Sequence, residues 1–495
     1  MGAERHERLY RFDPLDESGV FLGLGVMQCV LLGGGLVVGV ALITAGVPLV
    51  VAAVPVVLGA GLSFGRIRGY VAWEWIPLGV SWIAMRLGRG SRWHARLPLV
   101  VGSESKPAPL PPCLAGLDIV AIPWRGGQTL GAVRDTQAAT LTAIVPATGP
   151  EFLTRARAEQ EQLLTGWADV LGQFAPERSP VVHLGWSDLA RQSGLRQHLD
   201  WLEGAERGDA DRDAVDSYQD LLEGAASQAS SHDVLLFLTV ARERLGRRAI
   251  TSDPEAALGR ALCSSVDAMI RGLRNGGLSA GEPLTAAEVR RHLRTRIDPF
   301  AARPASVRGR LVERLGLVAP GAEGPLALHT AWRHGQIDGA FHRTYWVVGF
   351  PRLPQHPAWL EAFLAGNGLC RTLTVLFRPV APHQSRRRIE RDLVKLESDA
   401  QTREDKGRRV DARHRRATQA LLDREEELVA GYTEMDHLAL VCVSAPELEQ
   451  LEDDCEIVEQ LAREAGIELR VLDARQDLGW AATLPFGLAP RHLLS

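Results

Sequence analysis

The chain has 495 residues, 46% of them hydrophobic and 23% charged, with 60 acidic against 56 basic side chains and a formal net charge of −4. That balance is ordinary for a globular protein, gives no reason to expect general nucleic-acid binding, and sets a length suited to about three domains. The six cysteines, Cys29, Cys113, Cys263, Cys370, Cys442 and Cys455, are scattered without a C-x-x-C pair, which fits free thiols in a reducing compartment and excludes a disulfide framework or a cysteine zinc site. Lys106, Lys395 and Lys406 are the only lysines. With the Ala, Gly and Val bias, that pattern reflects a GC-rich coding sequence.

After a polar lead over 1–18, the stretch 19–65 dominates. From Val20 to Gly65 no residue is charged. A run of about 18 apolar residues is enough for a transmembrane helix, and this one is more than twice that length, with Pro48 and Pro55 inside it. The prediction is two helical spans, 20–43 and 46–64, turning near Thr44, Ala45 and Gly46. Helices satisfy every backbone polar group internally, as hydrocarbon demands. Gly33, Gly34, Gly35 and Gly39 suit close helix contact. A cleavable signal peptide and a buried hairpin of a soluble core are the competing readings. The first requires a shorter apolar region nearer the start; the second rarely lacks all charge over such a length. Arg5, Arg8 and Arg11 precede the run, and Arg66, Arg68, Arg86, Arg89, Arg92 and Arg96 follow it. Positive flanks mark the cytoplasmic side. The expectation is therefore a multi-pass protein of the cell membrane with both termini and the body in the cytoplasm.

The juxtamembrane stretch 66–100 sets Trp73, Trp75, Trp82 and Trp93 among Arg66, Arg68, Arg86 and Arg89. Aromatic rings sit at headgroup depth and arginine stems snorkel there. Trp73 to Leu87 is expected to be an interfacial or third short helix on membrane lipids, with an ordinary helix packed on the body as the alternative. The proline-rich stretch 101–112 reads as an extended linker.

The body divides into 113–380 and 381–495. Strands are predicted at Leu117 to Pro123, Leu141 to Pro146, Pro180 to Trp186 and Val234 to Ala241, with a turn at Gly126-Gly127. Helices are predicted at Glu151 to Phe174 and Arg212 to Ala226. Ser252-Asp-Pro254 opens a helix to about Leu273, and Thr285-Ala-Ala-Glu288 is a capping box before Val289 to Ile297. Thr330 to His334 and His342 to Phe350 read as strands joined through Gly335 to Gly339. Pro357 to Leu364 reads as a short helix and Arg371 to Phe377 as a strand. His383 to Glu427 is a charged pair of helices divided at Gly407. Leu438 to Val443, Pro446 to Ala465 and Ile467 to Leu472 close the chain as β-α-β. The predicted fold class is α+β, with ferredoxin-like β-α-β elements behind a transmembrane helical hairpin.

No lysine stands in a Gly-Lys-Ser/Thr setting, so a standard P-loop is excluded. No G-x-S-x-G, H-E-x-x-H or C-x-x-C occurs. Gly185-Trp-Ser187 lacks the second glycine of a nucleophile elbow, and Ser187 reads as a helix cap. His329, His334, His342 and His356 are the densest histidines and are expected in surface or packing roles rather than on a metal. The residues give no catalytic site, metal or cofactor. Trp332, Arg333, Arg343 and Tyr345 could stack single-stranded nucleic acid or pack in core and rim. Arg408, Arg409, Arg413, Arg415 and Arg416 read as a solvated face or a docking surface for an acidic partner or nucleic acid.

The N-terminal layout, with Tyr10-Arg-Phe-Asp-Pro14, the uncharged hairpin and Trp73-Glu-Trp before an arginine cluster, resembles the PrgI-like membrane module of Gram-positive conjugation systems. The body resembles the non-motor amino-terminal half of the type IV secretion ATPase. Gly277-Leu-Ser279 to Pro299, Ala331 to Pro351, Arg371 to Pro379 and Gly479 to Gly487 carry that resemblance. Together they are similar to actinobacterial conjugal-transfer membrane proteins of the SCO type. The resemblance implies a structural subunit of a transfer machine, present in several copies, with other membrane subunits around it and a separate P-loop ATPase as its motor. The readings left beside it are a membrane-tethered nucleic-acid-binding adaptor and a membrane-anchored enzyme.

Overall fold

A computed structural model describes residues 26–67, 70–88, 90–95, 110–148, 152–192, 214, 217, 218, 220, 221, 230–246, 253–300, 324–351, 353–365, 368–405 and 412–488. Two apolar helices come first, α1 (Val26–Thr44) and α2 (Leu49–Phe64). The turn between them is made at Gly46, whose φ of 79° is left-handed, a conformation glycine adopts without steric cost. A short ribbon, β1 (Arg66–Ile67) with β2 (Tyr70–Val71), leads into α3 (Trp75–Leu87) and β3 (Arg92–His94).

Next come β4 (Leu117–Pro123), β5 (Thr129–Asp135), β6 (Thr140–Thr148), α4 (Arg157–Gly172), β7 (Val181–Gln192), β8 (Ser230–Ala241), α5 (Pro254–Asn275), β9 (Ser279–Ala280) and α6 (Ala286–Ile297). The remainder is β10 (Ala327–Thr330), β11 (Gly335–Ile337), β12 (Ala340–Gly349), α7 (Glu361–Leu364), β13 (Arg371–Pro379), α8 (Pro382–Asp405), α9 (Ala412–Val429), β14 (Met435–Ala445), α10 (Leu448–Glu464), β15 (Glu468–Val471) and α11 (Gln476–Thr483).

The protein is thus mixed α+β around one large antiparallel sheet. Its order is β3-β10-β11-β12-β14-β13-β7-β8-β6-β5-β4, with β15 also on β12 and β9 on β6. That order reads alike from the centre outwards. On one side the chain runs β6-α4-β7-β8-α5-β9 and the strands lie in the order β9-β6-β8-β7; on the other it runs β12-α7-β13-β14-α10-β15 with the order β15-β12-β14-β13. The two units meet where β7 pairs β13 from Leu184↔Phe377 to Ala190↔Arg371. A Cβ on Gly185 would lie 2.1 Å from the carbonyl oxygen of Val375, so the close approach at this seam requires glycine.

The central strands are buried on both faces, which is why Val234 to Ala241 is a nearly unbroken apolar run. On one face α5 lays Leu258, Leu262, Val266, Met269 and Leu273 against Leu236, Leu238 and Val240. These residues recur every third or fourth position, one stripe of a helix. On the other face α6 (Val289, Leu293, Ile297) and α11 (Trp480) pack against Leu235, Phe237, Leu376 and Cys442. In the second unit Leu451, Cys455, Val458 and Ala462 of α10 cover Val441, Val443 and Tyr345. The helix starts are where local chemistry puts them. Asp253 accepts from the backbone N–H groups of Glu255 and Ala256 at 3.1 Å each, and Thr285 with Glu288 closes a capping box.

Several elements differ from expectation. Gly335 to Ile337 forms β11, and the turn sits at Asp338 (φ 52°) and Gly339, with the first strand ending at Thr330; three residues between two strands suffice for a ladder rung that periodicity does not register. Ser187 is no helix cap. It is buried within β7, where its hydroxyl donates to the carbonyl of Thr483 at 3.2 Å and lies 2.9 Å from the hydroxyl of Thr374. β3 belongs to the body sheet, although it lies in the stretch assigned to the membrane side. Of the expected linker over 101–112, residues 101–109 lie outside the described residues, as do Gly407 and most of the helix at Arg212 to Ala226, and Pro112 opens a short 3-10 turn to Leu114.

Candidate functional site

α1 and α2 lie side by side with glycine at the crossings. Cβ atoms added at Gly35, Gly39 and Gly59 would come within 2.6, 2.9 and 2.7 Å of backbone oxygens of Pro55, Ala52 and Leu31. Small residues are what allow such approach. The polar side chains between the helices satisfy each other's backbones: Gln28 Nε2 donates to Ser63 O at 2.7 Å, and Ser63 Oγ donates to Gln28 O at 3.3 Å. Away from this seam Val30, Leu36, Val37, Val40, Leu49, Val50, Val54 and Val57 are exposed. Among the described residues α1 is long and apolar enough to cross a membrane by length and composition, and α2 is apolar but shorter.

The pair is tied to the segment after it. The N–H of Ala72 donates to Gly65 O at 2.7 Å, so the β1–β2 ribbon folds back onto the end of α2. α3 then presents two different faces. Trp75, Leu78 and Trp82 turn one way, with Leu78 buried. Ile76, Val80, Ile83 and Leu87, again every third or fourth residue, are exposed, Leu87 to 80%.

The tryptophan face of α3 meets the body at the β10–β11 turn. Trp332 stacks on Trp75 with ring centroids 6.1 Å apart and planes 9° from parallel, and it meets Trp82 edge-on at 5.5 Å. Offset stacks and edge contacts of this kind add about 0.5–1.5 kcal/mol each beyond buried area. The two aromatic groups that sequence reading keeps apart, one expected at the membrane interface and one read as either a nucleic-acid surface or core and rim packing, thus meet through Trp75, Trp82 and Trp332. Beneath it β3 pairs β10, with Arg92↔His329, Trp93↔Leu328 and His94↔Ala327 in register. Alternation packs Trp93, partly buried, against the core around Trp480 and Leu328 and leaves Arg92 and His94 on the other side.

Trp82 and Arg86 of α3 together with Ser91, Arg92, His94, His329, Thr330, Ala331 and Trp332 line a cavity of about 660 Å³. Among the described residues no acidic side chain lines it. His329 is held below its ordinary value by burial and then by the charge of Arg92. Thr330 is buried and its hydroxyl has no hydrogen-bond partner among the described residues. A second, more open concavity of about 410 Å³ near Thr154 and Glu159 lies apart from these groups.

The other candidate residues do not converge here. Trp73 is half-buried and Arg66 is exposed, while Arg68 and Arg89 lie outside the described residues. Arg333 reaches Asp473 at 3.9 Å. Arg343 is buried; its Nε donates to Arg333 O at 3.1 Å, and its guanidinium lies 3.7 Å from Glu452. Tyr345 is fully buried and donates its hydroxyl to Glu459 at 3.0 Å. Burial pushes its phenol well above the usual range. Arg343 and Tyr345 thus face the α10 layer, and Trp332, Arg333, Arg343 and Tyr345 do not form a stacking platform for nucleic acid. Arg415 and Arg416 are exposed on α9, Arg413 lies in α9, and Arg408 and Arg409 lie outside the described residues. His342 is buried between Ser444 and Ile297, and among the described residues no three His, Cys, Asp or Glu side chains are placed to hold a metal ion. His94 escaped sequence reading altogether; the alternation Arg92-Trp-His94, polar on one side and aromatic on the other, is the signal that would have found it. No protein-family model matches the chain, and no curated protein matches it.

Proposed function

We propose that the chain is a non-catalytic, membrane-anchored structural subunit of a transfer machine of the type IV secretion and conjugation kind, which docks a separate P-loop ATPase at the cytoplasmic membrane. The observation that carries the anchoring is the glycine-seamed pair α1 and α2, with apolar side chains outward and its polar atoms satisfied inward. In this reading the pair is a transmembrane hairpin. At 1.5 Å per residue, α1 spans about 28 Å and α2 about 24 Å, against a hydrocarbon core of about 30 Å. The shorter helix is accommodated by local thinning of the bilayer. The exposed stripe Ile76, Val80, Ile83 and Leu87 continues the apolar surface, so α3 lies in the interface. Arg66, Arg86 and Arg92 follow the helical pair in the chain, and positive flanks of this kind favour a cytoplasmic body.

The two units of the sheet read as ferredoxin-like, each with the β-α-β-β-α-β order, and the resemblance to the non-motor half of the secretion ATPase assigns them a docking role. Membership of a multi-copy assembly with other membrane subunits rests on that resemblance. The test has two parts. Membrane flotation of the native protein is expected to place it with lipid, released by detergent and not by salt. Affinity capture from detergent-solubilised membranes, read by mass spectrometry, is expected to bring down a P-loop ATPase. Recovery in the soluble fraction without detergent removes the anchor; capture of the protein alone removes the docking role.

A further inference from the structure

We infer that the cavity between α3 and the β3–β10 edge is a binding site for the phosphate of an anionic phospholipid headgroup. This rests on the membrane-anchored reading above and adds to it a ligand and a place. Four features combine. The cavity, about 660 Å³, is large enough for a headgroup. Its charge is one-sided: Arg86 comes from α3 and Arg92 from β3, with His94 and His329 beside them and no carboxylate in the lining among the described residues. Arginine forks suit phosphate oxygens, and two of them from different elements clamp one group. Thr330, whose buried hydroxyl has no partner among the described residues, also lines the cavity. Finally, Trp82 and Trp332 form one wall, and the neighbouring face of α3, about 100° round the helix with Ile83 next to Arg86, is the exposed apolar stripe. A lipid whose chains run along that stripe in the bilayer brings its phosphate to the level of Arg86. That continuity with the apolar surface is why a lipid, rather than a soluble phosphate compound, is the occupant.

The chemistry makes the site a lock on the joint. Arg86 belongs to the membrane-side helix and Arg92 to the body sheet, so a phosphate shared between them ties one to the other at the point where the tryptophans already meet.

The experiment is native mass spectrometry of the full-length protein in detergent, titrated with phosphatidylglycerol and, in parallel, phosphatidylcholine. Saturable binding of one phosphatidylglycerol, preferred over phosphatidylcholine, is expected. Arg86→Gln and Arg92→Gln are each expected to weaken it about fivefold and the pair about thirtyfold, taking roughly the energy of one basic side chain near an anionic surface for each. Both side chains are exposed, so folding is not at stake, and Arg415→Gln with Arg416→Gln on α9 serves as the control that leaves binding unchanged. Equal retention of the two lipids, or indifference to Arg86→Gln and Arg92→Gln, overturns the site. Displacement of phosphatidylglycerol by millimolar inorganic phosphate, with phosphate itself retained, assigns the cavity to a soluble ligand and overturns the lipid. Flotation of the same preparation separates the two readings: protein that floats without lipid preference refutes only the site, whereas protein that does not float refutes the anchor.

Discussion

Arg296 is a buried cation, 3% exposed, held on the inner side of α6. Its Nη1 donates to Asp233 Oδ2 at 2.7 Å and its Nη2 to the backbone oxygen of Asp233 at 3.2 Å; His292 Nδ1 meets the same carboxylate oxygen at 3.0 Å. Asp233→Ala removes the carboxylate and leaves the guanidinium in place. Stranding one partner of a buried pair costs about 3–5 kcal/mol. The backbone contact survives the change and the Asp233 side chain is 29% exposed, so the lower end, about 3 kcal/mol, is expected. Arg296→Met removes the charge itself and keeps the volume. Asp233 then retains His292 and water, and the loss is expected at about 1 kcal/mol. The double variant is expected to be close to Arg296→Met alone, a coupling of about 3 kcal/mol. Pulse proteolysis in urea on the detergent-solubilised protein reads these differences, and hydrogen exchange at the amides of α6 localises them. Equal single effects that add in the double variant would refute the reasoning, because the stranded cation would then not be the source of the cost. The pair also carries a pH signature. Burial alone would raise the Asp233 carboxyl, but the hydrogen bond from His292 and the charge of Arg296 outweigh it and hold it well below the usual range. The folded value is depressed, so the stability it contributes is complete above about pH 4 and is lost as the pH falls below that.

His342 predicts an acid limb of its own. Its Nε2 donates to Ile297 O, its Nδ1 accepts from Ser444, and burial lowers it to about 4. The unfolded chain takes up a proton near pH 6.5, so stability is expected to fall by about 3 kcal/mol between pH 6.5 and 4 and to level off below; urea midpoints that stay constant across that window sink the idea. At the central seam, Gly185→Ala forces a Cβ against Val375 O and the Phe237 ring. A loss of about 3 kcal/mol or failure to accumulate is expected, and wild-type proteolysis resistance would contradict it. In the helical pair, Gly59→Leu is expected to part α1 from α2. Cysteines at Gln28 and Ser63, with Cys29→Ser, read this directly: oxidative cross-linking should be fast in the parent and at least tenfold slower with Leu, and unchanged cross-linking would count against the glycine seam. Cys370 and Cys442 are buried, with thiols pushed up to about 12, so both are expected to resist thiol reagents until the protein unfolds.

What could be read from the sequence was local. The Asp253 cap with Pro254, the Thr285–Glu288 capping box, the stripe on α10 and the buried run in β8 each declare themselves within a few residues. β5, β9 and β11 did not, because their place comes from partners far along the chain and their own pattern is short. α11 was missed for a similar reason: its eight residues are nearly all buried, Trp480 and Gln476 included, so no polar face marks a period. The joint was half legible. Trp75 and Trp82 stood out, and so did Trp332, but nothing in spacing says that residues some 250 positions apart stack. Arg343 and Tyr345 could be read as a stacking surface or as core and rim packing, and the alternation along β12 turns both toward α10, where Glu452 and Glu459 take their polar ends.

The seam of β7 and β13 joins two like units carried on one chain. As separate proteins such units would meet only by collision, and their pairing would loosen on dilution. Linked through the stretch from Ile297 to Ala327, each holds the other at a local concentration fixed by the tether. The continuity of the sheet is then independent of protein concentration, and a dilute chain keeps the same two-unit surface as a concentrated one.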